Sequence, residues 1–300
     1  MSTQETRQSH RRTGALLTLA AAISWSTAGL AVRSMDGATA WQILCYRSLA
    51  LFAFLVVVLL VRHRSRVLRV ARDVGWAGVL GAFCMVGAFM CNILAMTMTT
   101  IANAAFLQAT QVFFGAALGW IVLGEAVPLK TWIAMVVALG GVALMMGDGL
   151  ETGTLLGNVF GLATGFWCAA FAVSFRFCRG ADNMPIACLA AILAAVATAA
   201  LAPGLAISTH DVAISLGMGI FQIGIGMVLF GLGARRVPAA ELLLIGLVEL
   251  VVAPIWVWLI VGEVPSTLTL GGGALVLAAV VGQVLVPDRR VEPRRVSEAA

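Results

Sequence analysis

Residues 237–263 read VPAAELLLIGLVELVVAPIWVWLIVGE. The stretch is almost wholly apolar and long enough to cross a bilayer as one helix. Pro238 stands at its start, where a fixed φ and a missing N–H suit the first helical turn. Glu249 lies at its middle, twelve residues from Val237 and twelve from Val261. At 1.5 Å per residue the carboxyl is about 18 Å from either end, close to a bilayer midplane. A carboxylate at that depth is expected to face protein or water rather than lipid.

A second stretch mirrors the first. Ile101 to Glu125 reads IANAAFLQATQVFFGAALGWIVLGE, and Gly124-Glu125 aligns with Gly262-Glu263 at an offset of 138 residues. The same offset pairs Ala102 with Ala240, Asn103 with Glu241, Gln111 with Glu249, Gly81 with Gly219 and Phe83 with Phe221. The chain therefore reads as a duplication whose two midplane polar residues, Gln111 and Glu249, are mates.

Composition sets the class. Of 300 residues 61% are hydrophobic and 11% charged, with a mean hydropathy of +1.01. Soluble domains carry roughly 25% charged residues, so a polytopic membrane protein is expected. The net charge of +5 comes from arginines gathered in short loops and tails, and it does not point to nucleic acid. The six cysteines fall in or beside apolar segments without a C-x-x-C pair, and they read as small buried residues. His10, His63 and His210 lie in loops or the N-terminal tail, so neither a metal site nor a catalytic triad is expected, nor a cofactor. Arg7, Arg11 and Arg12 followed by an apolar run resemble a secretion signal, but that run reaches Val32, which is spanning length.

Ten spans are predicted: Gly14–Val32, Ala40–Val61, Gly75–Met96, Ile101–Val122, Thr131–Met146, Leu155–Phe175, Met184–Leu201, Val212–Gly233, Val237–Val261 and Leu268–Val286. Residues 1–13 and 287–300 are basic tails, and residues 14–148 and 155–286 form the two repeats. Loop charge gives the orientation. The N-terminal tail, Arg62–Asp73, Lys130, Arg176 with Arg179, Arg235 with Arg236, and the C-terminal tail hold 17 of the 19 basic residues. Opposite them lie Asp36, Asp148, Glu151, Asp211 and Glu263. The positive-inside rule then places both termini in the cytoplasm, in a multi-pass protein of the inner membrane.

Each repeat has five spans, an odd number, so the second is expected to be inserted upside down. Spans one and six agree with this: LAAAISW ends at Trp25, GLATGFW ends at Trp167, and Arg33 and Arg176 follow eight and nine residues later. The fold class expected is an all-α integral membrane protein of ten helices in two inverted five-helix repeats. Inverted repeats around a midplane polar site are a construction of many secondary transporters.

These features resemble the drug/metabolite transporter superfamily, specifically its EamA family of ten-span exporters. The likeness rests on Ser24-Trp25 in span one, Arg47 in span two, the G-E pairs after spans four and nine, and the small-residue-rich spans five and ten. It runs from about Gly14 to Val286. The resemblance implies export or facilitated diffusion of small metabolites, amino acids among them. The family often has a proline near the centre of spans four and nine. Span four here has none, and Pro254 lies past the centre of span nine.

The candidate pathway residues are Glu249, Gln111, Trp25, Trp167, Gln108, Thr110, Asn92, Gln222 and Arg47. Glu249 suits binding of a substrate ammonium or carriage of a proton; a buried carboxylate bonded to a neighbouring helix is the alternative. Gln111, Gln108 and Thr110 either line the pathway or hydrogen-bond across helices. Arg47, seven residues into its span and about 10 Å from the outer face, could meet a substrate carboxylate, sit in a structural ion pair, or snorkel to headgroups. Trp25 and Trp167 lie too deep for an interfacial belt. They either wall an amphipathic substrate or pack with the indole N–H satisfied locally. Asn92 and Gln222 are single polar residues of spans three and eight. Gln283 is expected outside the cavity. Glu241 is explained by the helix dipole and by Arg235 or Arg236 nearby.

The partners expected are a small-molecule substrate, the lipid bilayer and, as coupling ion, protons. The competing readings are a membrane-embedded enzyme and a sensor or scaffold. Glu241 and Glu249 lie about 12 Å apart along one helix, too far for joint acid–base work, and no H-E-x-x-H or nucleophile elbow occurs. No catalytic residue is assigned. The short basic tails offer a sensor no partner domain.

Overall fold

The computed structural model describes residues 3–73, 75–99, 101–146, 154–178, 183–262 and 266–285. Asp148, Glu151, Arg179, Glu263 and the C-terminal arginines lie outside the described residues, as do the side chains of Arg7 and Arg33. Among the described residues the secondary structure is wholly helical. Ten helices are long and apolar enough to span a membrane: α1 (Ser9–Val32), α2 (Ala40–His63), α3 (Gly75–Met96), α4 (Asn103–Leu123), α5 (Leu129–Met146), α6 (Leu155–Phe177), α7 (Met184–Leu201), α8 (Thr209–Ala234), α9 (Ala239–Ile260) and α10 (Thr267–Val284). The expected all-α, ten-span class is found. Helix α1 extends back to Thr3, through the segment read from sequence as a tail. The loop after α2 is also helical in part, over Arg64–Arg66 and Val67–Asp73.

Local chemistry sets the helix ends. Thr39 and Gln42 form a reciprocal capping box at the start of α2, Thr154 caps α6 through Gly157 N, and Ser208 caps α8 through Asp211 N. Gly124 and Gly262 end α4 and α9 in the left-handed region, with φ of 65° and 80°. A side chain there would be strained, which accounts for the glycine of each G-E pair.

Packing joins the two halves. Helix α3 lies along α6, α2 along α7, α5 along α10, and α1 along α8, while α4 contacts both α6 and α9. Between α5 and α10, a Cβ on Gly141 or on Gly272 would run into the other's carbonyl oxygen. Such close backbone approach is how small residues hold membrane helices together without a hydrophobic driving force. Leu16, Leu49, Val57, Val61, Phe83 and Ile121 are exposed on the outside, as a lipid-facing surface requires. Trp76 and Trp120, 79% and 66% exposed, lie near the span ends where tryptophan favours the membrane interface.

Two ends of the bundle follow from the contacts. Glu125, Arg176, Ala234 and Ala239 meet at the end where α1 begins, the terminal face. Asp36 and Ala38 meet Asp211 at the distal face, where their N–H groups donate to its two carboxylate oxygens at 2.9 and 3.1 Å.

Candidate functional site

Helices α4 and α9 are each interrupted near mid-span. Helix α4 is helical over Ile101–Ala109 and Gln111–Leu123, with Thr110 between. Helix α9 divides into Ala239–Gly246 and Val248–Val261 around Leu247. Both junctions tighten by one hydrogen bond: Thr110 N donates to Leu107 O and Leu247 N to Leu244 O, each at 3.2 Å. No proline is involved. The Thr110 hydroxyl donates to Leu107 O at 2.5 Å, a back-bond that bends helices, and Leu247 follows Gly246.

The interruptions give Gln111 and Glu249 a common setting. Gln111 is the first residue of the second half of α4. Glu249 lies in the first turn of the second half of α9. The positive end of a half-helix dipole favours an anion or a hydrogen-bond acceptor there. Gln111 is buried and Glu249 half-buried, and neither side chain has a hydrogen bond among the described residues.

Around Glu249 the fold gathers residues of α6 and α3. Cys168 of α6 is close enough to couple electrostatically to Glu249 and to Cys91 of α3. Cys91 lies against Trp167. A Cβ on Gly87 of α3 would stand 2.9 Å from Trp167 Cδ2, so the indole rests flat on that glycine. Trp167 also meets Phe166 edge-on, with ring centroids 5.4 Å apart. Asn92 Nδ2 donates to Gln108 Oε1 at 2.8 Å, joining α3 to α4. Gly165 of α6 presses on the α4 interruption, where a Cβ would meet Thr110 Oγ1, Gln108 O and Gln111 N at 3.1–3.2 Å.

Of the readings weighed for Arg47, a structural ion pair finds no partner among the described residues. Its guanidinium lies over the Phe89 ring, 5.3 Å from the centroid, and it forms no ion pair with Glu249 or any other described carboxylate. A guanidinium on an aromatic face is a recognised cation–π arrangement.

Trp25 and Gln222 belong to a second group, between α1 and α8. Trp25 packs on Gly226 and Phe230, with Trp25 and Phe230 ring centroids 5.2 Å apart. Its Nε1 is buried without a partner among the described residues, so the alternative of a locally satisfied indole is not met there. Helix α8 carries a π-helical segment, Met218–Gly224. Ser24 Oγ lies 2.9 Å from both Phe221 O and Gln222 O within it. Gln222 Nε2 donates to Trp25 O at 3.1 Å, and Trp256 Nε1 of α9 donates to Ser26 Oγ at 2.9 Å. These bonds clasp α1 where its helix pauses, between Trp25 and Ala28.

Sequence reasoning missed Cys91, Cys168 and Phe89 as neighbours of the candidate residues. Cys168 follows Trp167 and Cys91 precedes Asn92, an adjacency that was the available signal. Gln283 is buried and donates to Thr131 Oγ1 at 2.9 Å, tying α10 to α5. Glu241 pairs with Arg11 of α1, with Nη2 2.6 Å from Oε1. At the distal face Asp36, His210 and Asp211 place ligand-capable atoms within 4.8 Å of one another. The two Asp211 oxygens already accept the loop amides, so this group reads as a tie between α8 and the α1–α2 loop.

Two packed helices, each interrupted near mid-span and one carrying a carboxylate there, are a transporter-like arrangement. Residues 12–147 match the EamA-like transporter family. The EamA resemblance expected from the sequence is thereby matched over the first half, and the ten apolar helices mark a multi-pass membrane protein. Twenty-nine chains of solved structures also match. One crystal structure, 18% identical, superposes with a TM-score of 0.77 over 90% of this chain and 96% of that one. At that identity the likeness speaks for the fold alone, and it covers both halves of the chain. No curated protein matches.

Proposed function

We propose that the protein is a secondary transporter that exports small metabolites, amino acids foremost, or facilitates their diffusion, across the inner membrane by alternating access. The carrying observation is the setting of Glu249: mid-span, at an interrupted helix, half-buried and without a cationic partner among the described residues. A carboxylate left unpaired at such depth suits a ligand ammonium or a transported proton. Gln111 takes the equivalent place on α4, and α4 packs against α9.

The two halves act as inverted repeats in this reading. Its support is the pairing of helices: α1 lies on α8 as α6 lies on α3, and each pair has a tryptophan seated on a glycine, Trp25 on Gly226 and Trp167 on Gly87. Cys168, Trp167, Gln111 and Glu249 are the core of the proposed site. Asn92, Gln108 and Thr110 border it through α3 and α4, and Arg47 is available to a substrate carboxylate because no described carboxylate holds it. Trp25 and Gln222 serve mainly to join α1 to α8. The deciding experiment is counterflow of labelled metabolites, amino acids first, into liposomes holding the purified protein. Uptake that depends on trans substrate supports the reading; uptake equal to empty liposomes across the panel opposes it.

A further inference from the structure

At the terminal face the two halves are joined by charged contacts outside the proposed site. Glu125, in the turn after α4, pairs with Arg176 Nε at the end of α6 through Oε1. Its other oxygen accepts the N–H of Ala239, the first residue of α9, at 3.1 Å. Arg176 Nη1 donates to Ala234 O, at the end of α8, at 3.0 Å. One carboxylate and one guanidinium thus gather the ends of α4, α6 and α8 and the start of α9.

The pair is well placed to matter. Its side chains are only 10% and 20% exposed, so it is not a freely solvated surface pair, whose contribution is small. The chain reverses at Gly124 in the left-handed region, and Glu125 N donates back to Gly119 O at 3.1 Å, which fixes where the carboxylate can reach. Below it runs a close seam. Gly115 of α4 lies under Leu243 of α9, and a Cβ on Gly119 would stand 3.5 Å from Ala239 Cβ. The parts of α4 and α9 in this seam, Gln111–Leu123 and Ala239–Gly246, are the half-helices between the interruptions and the terminal face. Glu125 also sits at the N-terminus of α9, where its charge meets the positive end of the helix dipole.

We propose that Glu125 and Arg176 form a latch that holds the terminal face closed and must part for substrate to pass between that face and the Glu249 site. The latch rests on the transport reading. Glu125 is a positioning residue in it, acting through the N-terminus of α9 and not by touching substrate.

The native thiol of Cys168, next to Trp167 in the proposed site, provides the test. A full-length protein retaining only Cys168 is placed in sealed vesicles of known orientation. A membrane-impermeant maleimide is then added from the terminal or the distal side. Glu125→Gln and Arg176→Gln are each expected to raise labelling from the terminal side roughly fivefold or more, the effect of a coupling of ordinary size. The double variant should exceed neither single by much, because both remove one interaction. Labelling from the distal side should not rise. Ala239→Pro offers a gentler variant: it deletes only the N–H that Glu125 accepts, at a helix position that tolerates proline. It should raise terminal-side labelling in the same direction.

Unchanged terminal-side labelling in all three inserted variants overturns the latch. So does an equal rise from both sides, which marks general loosening. Labelling is read without substrate, so this outcome is independent of counterflow. A latch-positive, counterflow-negative protein would refute the transport reading and keep the closing contact.

Discussion

Thr110 and Leu247 interrupt α4 and α9 at positions 137 residues apart, one short of the 138 that separate their caps Gly124 and Gly262. The interruptions thus fall within one residue of the offset read from the sequence, and neither has a proline at its junction. Gly165 of α6 is pressed on the one in α4, with the Thr110 hydroxyl and two backbone atoms within 3.2 Å of where a Cβ would be. Backbone cannot yield as a flexible side chain can. Gly165→Ala is expected to destabilise the protein by about 1–3 kcal/mol, as overpacking commonly does. Thermal unfolding in detergent checks this; a melting temperature equal to the parent's would show that α4 and α6 are less closely set.

Trp25 and Gly226 offer a sharper test, because the clash can be relieved. A Cβ at Gly226 would strike the indole at Nε1 and Cδ1. Gly226→Ala is expected to lower stability by about 1–3 kcal/mol. Adding Trp25→Leu should recover part of that loss, since it opens the space the new methyl needs. Non-additivity of the two changes is the measurement, and plain additivity would mean that the two side chains do not meet.

The hydrophobic pattern made the fold legible: ten apolar runs and their order. The G-E pairs were legible too, but only the structure separates their parts, with each glycine the left-handed cap and Glu125 a tie to Arg176 and α9. What stayed hidden depends on contacts across long sequence separations. Arg47 meets Phe89 on another helix, and Glu241 meets Arg11 across 230 residues. No local periodicity encodes either. The π-helical segment of α8 was hidden as well. It contains Gly219, offset 138 from Gly81, and ends before Gly226, offset 139 from Gly87. An added residue in one turn of a π-bulge accounts for this slip and keeps both glycines under their tryptophans.

Orientation can be measured directly. Loop charge predicts that the terminal face is cytoplasmic, since 17 of the 19 basic residues fall in its loops and tails. Reporter fusions after Val286 and within Arg62–Asp73 should both report cytoplasm. A periplasmic signal from either would overturn the expected orientation, and unlike signals from the two would overturn the ten-span count.

Glu249 is the residue on which the proposed function turns. It lies ten residues after Ala239 and eleven before Ile260, so no route along its own helix brings it to water. A carboxylate there is unfavourable by several kcal/mol unless it is hydrated, protonated, or met by a donor. Arg47 does not meet it; the dipole of the half-helix that starts at Val248 helps, and Cys168 is the titratable group found beside it. Glu249→Gln keeps the volume and the half-helix and removes the charge. If Glu249 binds an ammonium group, counterflow of cationic and zwitterionic substrates should fall by roughly tenfold or more, the loss of about 1.4 kcal/mol or more of interaction. If it carries a proton, the pH dependence of transport should flatten while counterflow survives. Insertion and melting temperature should stay near the parent's, because no hydrogen bond to the protein is lost among the described residues. A variant with the parent's rate and pH profile would make Glu249 a structural carboxylate and leave the proposed site without its centre.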